Sequence, residues 1–222
     1  MNKILAHIVL SSVVALPIFA PVNAATIESG QYLPSIFPNT KVKYWYPADP
    51  LPATTSLSIR HSEPQLNYGD ALQIDTTAKL DDIALFFKKI NVINGDRIEL
   101  SAKVKLDSYG GTTIRGGCGL AVEDDKNEEF LIIRTDGIYT YNSKQFYALK
   151  TTDKYHVYRI VAEGNSYKVY IDAGKFPVID TTFLPSEWSP RRVVGFGDGS
   201  SVANSKSSWA YVKYKTTKLV AR

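Results

Sequence analysis

Arg97-Ile98-Glu99-Leu100-Ser101-Ala102-Lys103-Val104-Lys105-Leu106 alternates without a break. Ile98, Leu100, Ala102, Val104 and Leu106 share one side, and Arg97, Glu99, Ser101, Lys103 and Lys105 share the other. Successive side chains of a strand point to opposite faces of a sheet. A period of two over this length therefore marks a strand with one face in a core and the other in water.

Outward from this strand, turn signals recur every 8 to 12 residues, and strand candidates fill the intervals. Upstream, Ser56 to His61 and Ala71 to Asp75 read as strands, and Ile83 to Val92 is an apolar run compatible with a strand or a short helix. Downstream, Gly117 to Val122 and Glu129 to Arg134 flank the polar turn Glu123-Asp124-Asp125-Lys126-Asn127. Thr135-Asp136-Gly137 turns the chain into Ile138-Tyr139-Thr140-Tyr141 by the Asp-Gly hairpin signal. Tyr155 to Ala162 and Tyr167 to Asp172 flank Glu163-Gly164-Asn165-Ser166 as a second hairpin. Val178 to Thr182, Arg191 to Phe196 and Trp209 to Tyr214 complete the series. Ten or more short strands with no sustained helical period predict an all-β, two-sheet antiparallel sandwich or a barrel. No 20–50-residue repeat of the propeller or solenoid kind is present.

The 222 residues are room for one domain, and the 44% hydrophobic and 22% charged shares exclude wholesale disorder. Tyrosine stands out with 14 copies. One Cys excludes an internal disulfide framework and a multi-cysteine zinc site. A net charge of +4 calls for neither nucleic acid nor a membrane surface, and no nucleic-acid motif occurs. Residues 1–24 read as a cleavable signal peptide: Lys3, an apolar stretch from Ile8 to Ala20, then Val22-Asn23-Ala24. The apolar stretch is too short for a membrane span, so the expectation is a secreted or periplasmic protein. Residues 25–54 are read as an irregular segment broken by five prolines and clasping the sandwich, 55–214 as the sandwich, and 215–222 as a frayed basic tail.

Two stretches carry a resemblance. Tyr155-His156-Val157-Tyr158-Arg159-Ile160-Val161-Ala162-Glu163-Gly164-Asn165-Ser166-Tyr167-Lys168-Val169-Tyr170-Ile171-Asp172 resembles the paired strands of concanavalin A-like lectin/glucanase jelly rolls, including laminin-G-like modules. Val193 to Ser201 followed by Trp209-Ala210-Tyr211-Val212-Lys213-Tyr214 resembles their closing strands, with Ala210 standing where related strands carry an acid. The resemblance implies a jelly-roll sandwich, a fold that hosts lectins, glycosidases, lyases and adhesion modules alike.

Glycosidases on this fold need two carboxylates flanking the scissile bond. Glu123-Asp124-Asp125-Lys126-Asn127-Glu128 spells the letters E-x-D-x-x-E, but its turn-forming residues should fan the acids into solvent. Arg97-Ile98-Glu99-Leu100 spells the R-x-E-L of alginate lyases without their companion Gln-x-His and Tyr-x-Lys-Ala-Gly segments, so Arg97 and Glu99 are read as a charge pair. Cys118 and His156 are read as structural. No cofactor is expected, although Asp198, with Asp180, supplies oxygens that would suit a structural calcium; a tight turn at Gly197-Asp198-Gly199 is the preferred reading.

Aromatic rings stack on the apolar faces of sugars, and planar polar groups satisfy their hydroxyls. The leading expectation is carbohydrate binding on the concave sheet through Glu99, Lys103, Arg159 and Tyr170, with a polysaccharide or glycan as partner. Two alternatives stand beside it. One is a polysaccharide-degrading enzyme in which Glu99 meets a second carboxylate; the other is a protein-binding adhesion module. Tyr139, Tyr141, Phe146 and Tyr147, clustered around one hairpin, form a second aromatic group.

Overall fold

The computed structural model describes residues 24–35, 37–38, 45–47, 50–67, 69–110, 117–187, 191–199 and 202–219. Of the signal-peptide reading of residues 1–24, residues 1–23 lie outside them.

Strands follow one another in chain order as β1 (Ala24–Tyr32), β2 (Tyr46–Pro47), β3 (Ser56–Glu63), β4 (Gly69–Asp75), β5 (Ala84–Lys89), β6 (Arg97–Gly110), β7 (Cys118–Glu123) and β8 (Glu128–Arg134). They continue as β9 (Gly137–Thr140), β10 (Phe146–Ala148), β11 (His156–Glu163), β12 (Ser166–Ile171), β13 (Ile179–Thr182), β14 (Val193–Asp198) and β15 (Asn204–Leu219). A single 3₁₀ turn, Pro64–Leu66, is the only helical element among the described residues. Every pairing between strands is antiparallel.

The strands form two antiparallel sheets stacked as a jelly-roll sandwich. The larger runs β13-β12-β11-β6-β15-β4-β3, with β1 also on β15; the smaller runs β10-β9-β8-β7-β14-β5-β2. The alternation of β6 is realised as read: Ile98, Leu100, Ala102, Val104 and Leu106 are buried, and the residues between them are half-buried on the outer face. Their apolar faces meet Leu120, Val122, Leu131, Ile133, Val194 and Phe196 of the smaller sheet in one core. Trp209 of β15 sits in that core, 5.0 Å from the Phe196 ring, with its indole N–H donated to Ser207 Oγ. The smaller sheet has a second apolar cluster on its other face, Leu85, Phe87, Ala121 and Val193, so β14 is buried on both sides.

Three local readings differ from the sequence expectation, and one that was left open is decided. The segment after residue 24 is not irregular throughout: β1 pairs with β15 from Ala24↔Leu219 to Tyr32↔Val212. Residues 215–219 are likewise strand, not a frayed tail, because β1 pairs with all of them and β6 with residues 215–217. Ile83 to Val92 resolves into strand β5. Asp198 ends β14 as a strand residue and is fully buried, where a turn was preferred. In the N-terminal segment, the rings of Tyr32 and Trp45 pack on Phe196 at 5.3 and 5.1 Å.

Candidate functional site

The four candidate side chains share one surface, the outer face of the larger sheet. In β11, Tyr158, Ile160 and Ala162 go inward, which sends Arg159 out; in β12, Tyr167 and Val169 go inward, which sends Tyr170 out. Antiparallel register makes Arg159 and Tyr170 direct partners, with the guanidinium 3.8 Å from the ring centroid. Arg159 is also opposite Ser101, Ser101 opposite Lys213, and Lys213 opposite Gln31. The result is a row, Tyr170–Arg159–Ser101–Lys213–Gln31, crossing five strands and about 19 Å of surface at the usual strand spacing.

Two flanking rows carry the other candidates. Lys103 is opposite Tyr211, and the Lys213 ammonium lies 4.5 Å from the Tyr211 ring. Glu99 is opposite Lys215 on one side and Val161 on the other, yet its carboxylate turns to Arg97 Nε at 2.9 Å. The same guanidinium reaches Glu163 at 3.2 Å. Glu99 does have a second carboxylate nearby, but Arg97 occupies the space between them, where a scissile bond would have to lie.

A cavity of about 400 Å³ opens beside Lys103. It arises from a change of partner. The side of β15 away from β6 pairs with β4 up to Trp209 and with β1 from Val212 onward, and Ala210 is the extra residue of a β-bulge between Trp209 and Tyr211. Where β4 and β1 part, Leu33, Pro34, Leu66 and Asp70 wall a space floored by Tyr211 and Lys103. Bulges of this sort commonly re-aim side chains beside functional sites. Asp70 is also paired with His61, at 3.1 Å.

Sequence reasoning missed Tyr211, Lys213 and Lys215. Their signal was present in the alternation of Tyr211, Lys213 and Lys215 with Val212, Tyr214 and Thr216, which repeats the β6 pattern. Reading residues 215–222 as a tail cut that pattern in half.

The acidic run 123–128 departs from expectation in the opposite sense. Its acids turn inward because the loop packs on the chain entering β14, through Asn127 to Pro185 and Lys126 O to Ser186 N. Glu123 is fully buried and accepts from the Nε and backbone N–H of Arg191. Asp124 Oδ1 accepts from the backbone N–H groups of Lys126 and Asn127, and Glu128 accepts from the Ser186 hydroxyl. Burial raises the Glu128 carboxyl above the usual carboxylate range. Burial likewise raises Glu129, although its carboxylate accepts from three backbone N–H groups, those of Phe130, Asn142 and Ser143. Glu123, Asp124, Glu128 and Glu129 are buried and brace loops, while Asp125 is half-buried, accepting from the Asn94 backbone N–H and facing Arg192.

Asp198 Oδ2 accepts from Thr76 Oγ1 at 2.6 Å and Ser205 Oγ at 2.7 Å. Asp180, the other residue with oxygens suited to calcium, pairs with Lys168 at 3.3 Å. No group of three His, Cys, Asp or Glu converges as for a metal among the described residues. His156 is buried between Asp172, Asp153 and the Lys150 carbonyl. Cys118 is fully buried.

No family model matches the sequence, and no curated protein matches it either. Solved structures share the fold. The Cellulose induced protein, Cip1, superposes with a TM-score of 0.55 at 7% identity, over 77% of this chain and 90% of its own. A conserved carbohydrate esterase from the Shiga toxin-encoding bacteriophage phi24B gives 0.51 at 10%, over 87% and 99%. A protein of unknown function from Shewanella oneidensis MR-1 gives 0.50 at 13%, over 87% and 88%. At such identities the likeness is one of fold alone.

Proposed function

We propose that this protein binds carbohydrate, without cleaving it, on the outer face of its larger sheet, and that its leader delivers it to the periplasm or beyond. The reading rests on the row Tyr170–Arg159–Ser101–Lys213–Gln31, which joins an aromatic ring, planar and flexible donors, a hydroxyl and an amide on one exposed, strand-supported surface. Rings of this kind cover the apolar face of a sugar while the neighbouring donors satisfy its hydroxyls. Rigid strands hold such groups with little ordering cost on binding. The carbohydrate esterase that shares the fold is consistent with the carbohydrate part of this reading.

The non-catalytic part rests on Glu99. Arg97 ties Glu99 and Glu163 together, and of the acids gathered in sequence Glu123, Asp124, Glu128 and Glu129 are buried in loop bracing and Asp125 faces Arg192. The test is retention of the purified protein on a panel of polysaccharides, with the eluted glycan checked for shortening. Retention of intact glycan, lost in Arg159→Ala and Tyr170→Ala, is the expected result. Shortened glycan would overturn the non-catalytic reading and make Glu99 the first residue to change. No retention on any glycan would overturn the binding reading and favour a protein partner.

A further inference from the structure

On the outer face of the larger sheet, charges are paired at the margins and unpaired in the middle. Toward the margins, Arg97 holds Glu99 and Glu163, Lys168 holds Asp180, Lys105 faces Asp107, Arg60 holds Glu63, and Lys206 holds Asp75. In the middle stand Arg159, Lys103, Lys213 and Lys215, and among the described residues none of the four has a carboxylate within ion-pair distance. They are neighbours. Lys103 is diagonal to Arg159 across β11 and β6, and diagonal to Lys213 across β6 and β15; Lys215 follows Lys213 on the same face. Diagonal and next-but-one positions on a sheet face are roughly 7–8 Å apart. That is within a Debye length at physiological ionic strength, so the four cations repel one another.

Glu99, the carboxylate directly opposite Lys215, is drawn off by Arg97, and Asp70, in the cavity wall beside Lys103, is paired with His61. Two of the four cations lie on aromatic faces, Arg159 on Tyr170 and Lys213 on Tyr211. A guanidinium stacked on a ring keeps its in-plane N–H groups free, and that edge is the one that grips carboxylate or sulfate oxygens.

Taking the carbohydrate-binding reading as its basis, we infer that the ligand is a polyanionic polysaccharide, whose carboxylate or sulfate groups meet Arg159, Lys103, Lys213 and Lys215. A chain with repeated negative charge relieves the repulsion of the strip, while a neutral chain leaves it in place.

The test compares binding of the full protein to dextran, dextran sulfate, polygalacturonate and its carboxyl-reduced neutral form at low and high salt. At least one charged polymer should bind tenfold or more tighter than its neutral counterpart, with the advantage shrinking as salt rises. Polygalacturonate or dextran sulfate as the tighter of the two tells carboxylate from sulfate recognition. In Lys213→Gln/Lys215→Gln and in Lys103→Gln, binding should fall severalfold, while Lys168→Gln, which removes an already paired cation, should change it less than twofold. Equal binding of charged and neutral polymers would overturn this inference and leave the carbohydrate reading standing. An equal loss in Lys168→Gln would overturn the assignment to the unpaired strip. Failure to bind any polymer would overturn both.

Discussion

Arg159 and Tyr170 illustrate how little a single residue needs in order to become part of a surface. Each is fixed only by alternation along its strand, and the register brings them face to face. At the same scale, Arg191 and Glu123 form a different kind of pair. Glu123 has no solvent contact, so Arg191→Ala would strand a buried carboxylate. That substitution should cost about 2 kcal/mol, the range for a lost charge-assisted hydrogen bond to a buried group, read as a lower denaturation midpoint at unchanged slope. Cys118 gives a chemical check on burial. Its thiol is pushed well above the ordinary range by burial, and a thiol rather than a thiolate reacts slowly. Ellman's reagent should leave the native protein unlabelled and label one thiol after denaturation; rapid labelling of native protein would place Cys118 outside the core.

Among the elements, β15 matters most, since it is central to the larger sheet and takes β6 along one side and β4 then β1 along the other. The β1 contact depends on Gly30. A Cβ there would lie 2.7 Å from the Tyr214 ring, and Tyr214 is itself nearly buried against Trp45. Gly30→Val should therefore loosen β1, and hydrogen exchange should accelerate across residues 24–32 while β6 amides keep their protection. Unchanged exchange in β1 would contradict the pairing.

Most strands between residues 55 and 214 were legible because hydrophobic alternation and Asp-Gly or Gly-Asn turns are local signals. The inward face of β11 was not legible, because Val157, Val161 and Tyr158 are apolar on both sides and only pairing with β6 and β12 selects one. β1 was hidden for a related reason: its partner lies nearly two hundred positions away, and Ala24 to Tyr32 carries no alternation of its own. The buried acids of 123–128 were hidden because turn chemistry says where a chain bends and not what packs on the bend.

For the whole molecule, the sandwich separates two tasks between its sheets. The smaller sheet covers its outer face with Leu85, Phe87 and Val193, and places its exposed rings, Phe146 and Tyr147, on edge strand β10. The larger sheet leaves its outer face polar, with two tyrosines under cations and charges paired everywhere but the centre. That division predicts that glycan binding belongs to one face only.

The direct measurement is glycan affinity, by calorimetry or retention, for the wild-type protein, Tyr170→Ala and Tyr147→Ala. Both substitutions truncate a partly exposed ring on a strand, so their effects on stability should be comparable and small. Tenfold or greater loss is expected in Tyr170→Ala, and wild-type affinity in Tyr147→Ala. Loss confined to Tyr147→Ala would move the site to the edge of the smaller sheet and contradict binding on the outer face of the larger one.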